Sequence, residues 1–379
     1  MRCVILGGLT LSLLALAGFG AWLFSLPMPV VVEAKPVPEA EADALLAALK
    51  PRRERPLIAI IGINDATETT DYLVPAGILR RADIADVMLL ATGEGPVKLF
   101  PALKVEPDAT VARFDAAHPE GADYVVVPAM SRDDDPVVMA WLKGQAKKGA
   151  TIIGICAGAK VVGAAGLLDG RRATTHWYYI DEMLKRSPTI RYVADRRMVA
   201  DGRVVTTTGI TASMPTMLTL IEAIAGRGKA MEAAQVLGVS GWNARHASGA
   251  FTFTRPFAAT VLGNVLAVWN RDQVGIELVP GMDAVSLAFV ADAWSRTYRS
   301  RVVTFAASGA TVEGRGGIRI LPDRVAATWP GEVSVSVSQG MRPATALDET
   351  LGEIAARYGA RTADVVAMQL EYPRPATGR

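Results

Sequence analysis

Cysteine is nearly missing from this chain: two in 379 residues, Cys3 and Cys156. Cys3 lies in an apolar N-terminal segment, so the globular part carries one thiol and forms no internal disulfide. Three histidines occur, His118, His176 and His246. None has a partner at ligand spacing, so no metal site is expected, and no motif calls for a cofactor. An excess of either charge is also lacking: 40 Lys and Arg face 38 Asp and Glu, a net +2. That leaves no basic footprint for nucleic acid and no acidic tail for a charged partner. Residues 354–365 have the spacing of a helix-turn-helix. However, the would-be reading helix, Thr362 to Leu370, holds one Asp and no Lys or Arg, and DNA reading needs phosphate and base contacts.

Length and apolar content are ample. Half the residues are hydrophobic, enough for two domains of ordinary size. From Val4 to Leu26 no residue is charged, a run long enough to span a bilayer. Arg2 precedes the run, and Glu33, Glu39, Glu41 and Asp43 dominate the flank after it. The positive-inside rule then sets residues 1–26 as an anchor or signal segment in the cell membrane, with the globular part outside the cytoplasm. Residues 27–56, with six prolines between Pro27 and Pro56, read as a linker with one helical patch, Ala40 to Leu49.

Beyond the linker, strands and helices alternate. Leu57–Gly62, Val87–Ala91, Asp123–Pro128, Thr151–Gly154 and Val204–Thr208 read as strands. Helices are expected near Thr69–Arg81, Pro136–Lys147 and Ala212–Ala225. Such alternation gives an α/β domain with a mostly parallel sheet, over residues 57–226. Sites in these sheets lie at the carboxyl ends of strands, and Cys156 falls there. In Thr151-Ile-Ile-Gly-Ile-Cys-Ala-Gly-Ala159, strand leads to reactive side chain, small residues and an apolar helical run, Val161 to Leu168. That is the pattern of a nucleophile elbow. A helix starting beside the sulfur favours the thiolate, and His176 could act as base or counter-charge. On residues alone, a small buried hydrophobe remains the alternative reading of the cysteine. The alternatives for His176 and for Glu68 and Asp71 are a core histidine and helix caps.

The phrase GICAGA followed by ATTHW, ending at Trp177, resembles the ThiJ/PfpI family of the class I glutamine amidotransferase-like superfamily. Within it the chain is most similar to the sensor half of AraC-type regulators and to isonitrile hydratase. The resemblance is clear over residues 57–226. It implies a flavodoxin-like three-layer sandwich with Cys156 as nucleophile and His176 beside it. It also implies an acidic residue, four before a proline, pointing at the cysteine; Asp71, before Pro75, is that position, with Glu68 one turn earlier as the substitute. Many relatives carry Gly-Gly after the Tyr124–Val127 strand, where backbone N–H groups serve as an oxyanion hole. Here Pro128-Ala129-Met130 stands instead, leaving Ala129, Met130 and Ala157 as the backbone donors and a narrower pocket.

Residues 227–270 are expected to be connecting helices, with Phe257–Trp269 as a core helix or else a membrane-docking surface. Residues 271–379 then read as a second α/β unit. Shifting the first domain by 215 positions sets Val87, Ala91, Val97, Pro107 and Asp108 on Val302, Ala306, Val312, Pro322 and Asp323. This unit lacks a cysteine and an elbow, and the position matching Asp71 is Ser286, so it is a degenerate copy. Family members usually pair, so the expectation is a pseudo-dimer within one chain or a homodimer. The functional expectation is Cys156 chemistry on a small amide, aldehyde or isonitrile; the alternative is a ligand- or redox-sensing module without catalysis.

Overall fold

The computed structural model describes residues 17–337 and 340–373. Most of the apolar run 4–26 therefore lies outside the described residues. Its end, residues 17–25, is helical, and among the described residues no helix is long and apolar enough to cross a membrane. The expected linker is not a free tether. Its helix, Glu39–Ala48, buries Leu45, and Leu49 follows it into the core. Arg52 then ties the segment down on Asp123 and on the Ala122 and Lys148 carbonyls. A short amphipathic patch with two buried leucines is enough to fold a proline-rich stretch onto the domain.

The first unit is built on a seven-stranded sheet. Its order is Met198–Asp201, Val204–Thr207, Thr151–Gly154, Tyr124–Val127, Leu57–Gly62, Asp86–Ala91 and Ala109–Thr110. All neighbours are parallel except the first pair. The three central strands, Leu57–Gly62, Tyr124–Val127 and Thr151–Gly154, are buried along their whole length. This follows from their Val/Ile-rich, non-alternating sequence, which suits a sheet covered on both faces. Thr69–Ala82 packs with the long Ser213–Leu237 helix on one face, while Pro136–Lys147 and Gly158–Ala164 cover the other. The elbow helix is thus shorter than the apolar run 161–168 suggests, stopping where Gly166 and Gly170 take positive φ.

A second sheet, all parallel, runs Arg324–Val325, Ser300–Ala306, Asp272–Glu277 and Val333–Val335. Leu57 and Asp272, Thr69 and Ala284, Ala109 and Arg324 begin corresponding elements, each 215 positions apart. The four strands repeat the order of the last four of the first sheet, and no counterpart of the elbow strand exists among the described residues. The units meet in a third sheet, where Lys104–Glu106 lies antiparallel to Arg319–Leu321. Val105 pairs there with Ile320, its own counterpart under the 215 shift, and the flanking pairs exchange symmetrically. Helices Thr69–Ala82 and Ala284–Ser295 pack across the same axis. The contact is close enough that a Cβ on Gly77 would come within 2.5 Å of Val285.

Candidate active site

Cys156 sits between the carboxyl end of the Thr151–Gly154 strand and the helix starting at Gly158, with φ of 56°. Positive φ on a residue with a Cβ is strained and persists only when its surroundings hold it. They do: the Cys156 N–H donates to Thr207 Oγ1 at 3.1 Å, and its carbonyl accepts from Thr175 Oγ1 at 3.0 Å. Gly158 makes the turn possible, because a Cβ there would lie 1.9 Å from the Val127 carbonyl oxygen. The Asp123–Pro128 stretch and the elbow are thereby locked in contact.

The thiol is 4% exposed. Burial, followed by the carboxylates of Asp71 and Glu68, pushes its pKa well up, and the Ala157 N–H only partly offsets this. The sequence pointed to a thiolate favoured by the helix start. The structure reverses that: a seven-residue helix and one N–H do not outweigh desolvation and two nearby acids.

The acids come from the start of the Thr69–Ala82 helix. Glu68 caps it, accepting the Asp71 N–H at 2.6 Å and the Thr70 hydroxyl at 2.9 Å. Asp71 is fully buried. Its Oδ2 accepts the Ala129 N–H at 3.0 Å, and its Oδ1 has no hydrogen-bond partner. Burial raises the Asp71 carboxyl to about 7, against the pull of the Ala129 N–H and of Arg296. Glu68 is raised too, by burial and then by Asp71 and Asp292. Near neutrality the Asp71 carboxyl is therefore part protonated, and both acids act on the Cys156 thiol through their charge.

Sequence reading missed Arg296. Its Nη2 donates to Glu68 Oε1 at 2.9 Å, and its Nε donates to the fully buried Asp292 at 2.5 Å. Burial alone would lower this guanidinium's pKa, but Asp292 and Glu68 more than reverse that. Arg296 belongs to the second unit and corresponds to Arg81 under the 215 shift, as Asp283 does to Glu68. Arg81 in turn pairs with Asp283. The same arginine–carboxylate bridge is thus made twice, and only one copy adjoins a cysteine.

His176 is near but otherwise engaged. Its Nδ1 accepts the Tyr178 N–H at 3.2 Å, and its Nε2 donates to the Gln369 carbonyl at 2.9 Å. Burial lowers its pKa. Neither ring nitrogen is free for the thiol, so its observed role is to hold the chain end, as Trp177 does through Met368. Glu371 extends this clasp, accepting the His246 ring N–H at 2.8 Å and bonding the Gly209 N–H. Of the three backbone groups considered for an oxyanion, the Ala129 N–H is spent on Asp71. Met130 lies in a bridge to Thr67 whose bonds are made by its neighbours, from Glu68 N–H to the Ala129 carbonyl and from Ser131 N–H to the Ala66 carbonyl. The Ala157 N–H faces the sulfur. Two surface clefts, near Ile78 and Lys229 and near Val37 and Arg196, do not reach Cys156. Among the described residues, no group of three or more His, Cys, Asp or Glu has metal-holding geometry.

The chain matches a known family. A model of the DJ-1/PfpI family matches residues 58–223. The chain is 30% identical over 174 residues to the Parkinson disease protein 7 homolog of Danio rerio, covering 44% of this chain and 89% of that protein. It is 38% identical over 94 residues to the isonitrile hydratase of Pseudomonas putida, covering 24% of this chain and 40% of the hydratase. It is 32% identical over 170 residues to the HTH-type transcriptional regulator CdhR of Pseudomonas aeruginosa, covering 44% and 47%. Among solved structures, a DJ-1 superfamily protein from Salmonella typhimurium aligns at 27% identity and TM-score 0.44, over 49% of this chain and all of the other. The chain belongs to the DJ-1/PfpI family. It spans less than half the length of the hydratase and of the regulator, and the family match stops before the second unit.

Proposed function

We propose that this protein carries out Cys156 chemistry on a small electrophilic molecule, of the amide, aldehyde or isonitrile type. The observation that carries this is the unpartnered Oδ1 of Asp71, buried beside a strained, buried thiol. A buried polar atom left without a protein partner costs free energy, and such atoms are found where a catalytic group is to meet a substrate or a proton. In the proposed step Asp71 takes the thiol proton as Sγ bonds to the electrophilic carbon. The π pair of the substrate moves onto its heteroatom or terminal carbon, and the same proton then passes there from Asp71. Ala157 N–H is the donor available to the developing anion. With an amide, Asp71 takes the proton back from the oxygen and gives it to the departing amine as the C–N bond breaks, and water then cleaves the thioester. With an isonitrile, water adds to the thioimidate carbon and expels the Cys156 thiol. An aldehyde stops at the hemithioacetal, which reverts to thiol and aldehyde. Arg296 holds Glu68 in place. His176 is given a positioning role, not that of base.

The test is turnover of small isonitriles and amides, and reversible capture of aldehydes, by the full chain, with Cys156→Ser and Asp71→Asn alongside. Loss of turnover in both supports the reading, and turnover surviving Cys156→Ser sinks it. A second reading, ligand sensing at the same site without catalysis, is favoured by the thiol's burial and raised pKa; the same features count against redox sensing, which needs an accessible thiolate. Under it, a ligand protects Cys156 from alkylation but is recovered unchanged.

Residues 4–26 anchor the chain in the cell membrane with the globular part outside, on the strength of their uncharged run and flanking charges. The second unit stands where a partner subunit would, so that one chain forms a pseudo-dimer. The support for this is the doubled arginine–carboxylate bridge and the self-symmetric Val105–Ile320 pairing.

A further inference from the structure

The Arg255–Leu266 helix has an unusual outer face. Its inner side is ordinary: Phe257 and Ala258 are buried, and Asn264 donates to the Thr297 carbonyl at 3.0 Å and to Thr362 at 3.1 Å. Outward it presents Leu262, Val265 and Leu266, followed by Val268 and Trp269 just past its end. Leu266 is 60% exposed and Trp269 85%. Between Arg255 and Arg271 no residue is charged. A surface helix normally turns its polar side to water, and a contiguous apolar face marks a contact. The sequence reading of a core helix thus holds for one side only.

What lies beside this face identifies the contact. The helix start is pinned to the end of the apolar N-terminal run. The Arg255 N–H donates to the Pro27 carbonyl at 2.9 Å, its guanidinium bonds the Phe24 and Leu26 carbonyls, and it lies 5.0 Å from the Phe24 ring. Trp22 packs on Phe253, which packs on Phe257. At the other end, Arg271 and Arg299 bind the Val265 and Asn270 carbonyls beside Trp269. An apolar helix face ending in a tryptophan flanked by arginines is the composition of a helix lying in a membrane interface.

We propose that this face, from Leu262 to Trp269, lies in the headgroup layer of the bilayer entered by residues 4–26, as a second lipid contact that fixes how the domain sits. Arg271 and Arg299 then meet anionic headgroups. The inference rests on the anchored reading of residues 4–26 and adds to it a defined contact surface.

The experiment uses the full chain with Cys3→Ser, reconstituted in vesicles of phosphatidylcholine and phosphatidylglycerol. A nitroxide is placed at Leu266→Cys or Trp269→Cys, with exposed Val325→Cys in the second unit as reference and the parent without added cysteine as blank. Flotation reports anchoring, and collision with oxygen against a water-soluble nickel complex reports the label's surroundings. The expected result is flotation, with an oxygen-to-nickel ratio several-fold higher at 266 and 269 than at 325. Flotation with equal ratios overturns the lipid contact and leaves the anchor standing. A label sheltered from both reagents also overturns it, because protein (a second copy, or residues 1–16) then covers the face. A chain that does not float overturns anchor and contact together.

Discussion

At the scale of single residues, Asp71 is where function and stability pull in opposite directions. Its folded carboxyl titrates near 7, because burial outweighs the Ala129 N–H and Arg296; the ordinary value is 3.8. Between those values the folded state holds a proton that the unfolded chain has given up. Stability is therefore lost as pH rises from about 4 toward 7. Asp71→Asn cannot titrate and escapes that loss. The melting temperature of the variant should match wild type near pH 4 and exceed it increasingly up to neutrality, with a plateau above. A variant less stable than wild type at pH 8 would mean that the carboxylate is better compensated than its unpartnered Oδ1 indicates. Gly158 makes the converse case. An alanine there would set its Cβ 1.9 Å from the Val127 oxygen. Gly158→Ala should therefore cost about 3 kcal/mol, read by urea denaturation, and should displace the elbow.

At the scale of elements, the ends of two helices build the site's electrostatics, and they belong to different units. Arg296→Met leaves Glu68 and Asp292 buried without their cation, a loss of about 3–5 kcal/mol. Arg81→Met breaks the corresponding bridge to Asp283 and should destabilise comparably. The two differ at the thiol. Alkylation of Cys156 followed against pH should shift to higher pH in Arg296→Met and stay at the wild-type midpoint in Arg81→Met. Equal shifts would make the effect a general loosening and remove Arg296 from the site.

Much of this is legible in the chain and some is not, for physical reasons. The strands at 57–62 and 151–154 and the elbow show as unbroken apolar runs ended by small residues. Such local patterns survive folding. The 215 shift is visible in the sequence, and it places Arg296 on Arg81 and Asp283 on Glu68. What it cannot reveal is that each arginine reaches across to the other unit, contacts over 228 and 202 positions. His176 is recognisable as a neighbour of the cysteine, but its commitment to Gln369 depends on where the last helix lands. The linker and the Arg255–Leu266 helix depart from expectation because composition alone does not say which apolar residues find a partner.

At the scale of the whole molecule, the pseudo-dimer reading makes a claim about assembly. In a homodimer built through this face, two identical copies of the Lys104–Glu106 strand and of the Thr69–Ala82 helix would meet. Here both places are already occupied, by Arg319–Leu321 and by Ala284–Ser295. An isologous contact needs the same patch free on both partners, and this patch is spent within the chain. The detergent-solubilised full chain should therefore sediment with the protein mass of one copy across a wide concentration range. Ile320→Arg should uncouple the two units, because Ile320 and its counterpart Val105 are fully buried at the joint, and a buried charge there carries a desolvation cost. A single cooperative unfolding transition in wild type, split into two by Ile320→Arg, is the expected calorimetric signature. A wild-type dimer that cross-links through cysteines placed on the Thr69–Ala82 helix would overturn the reading, because that surface could not then be covered by the chain's own second unit.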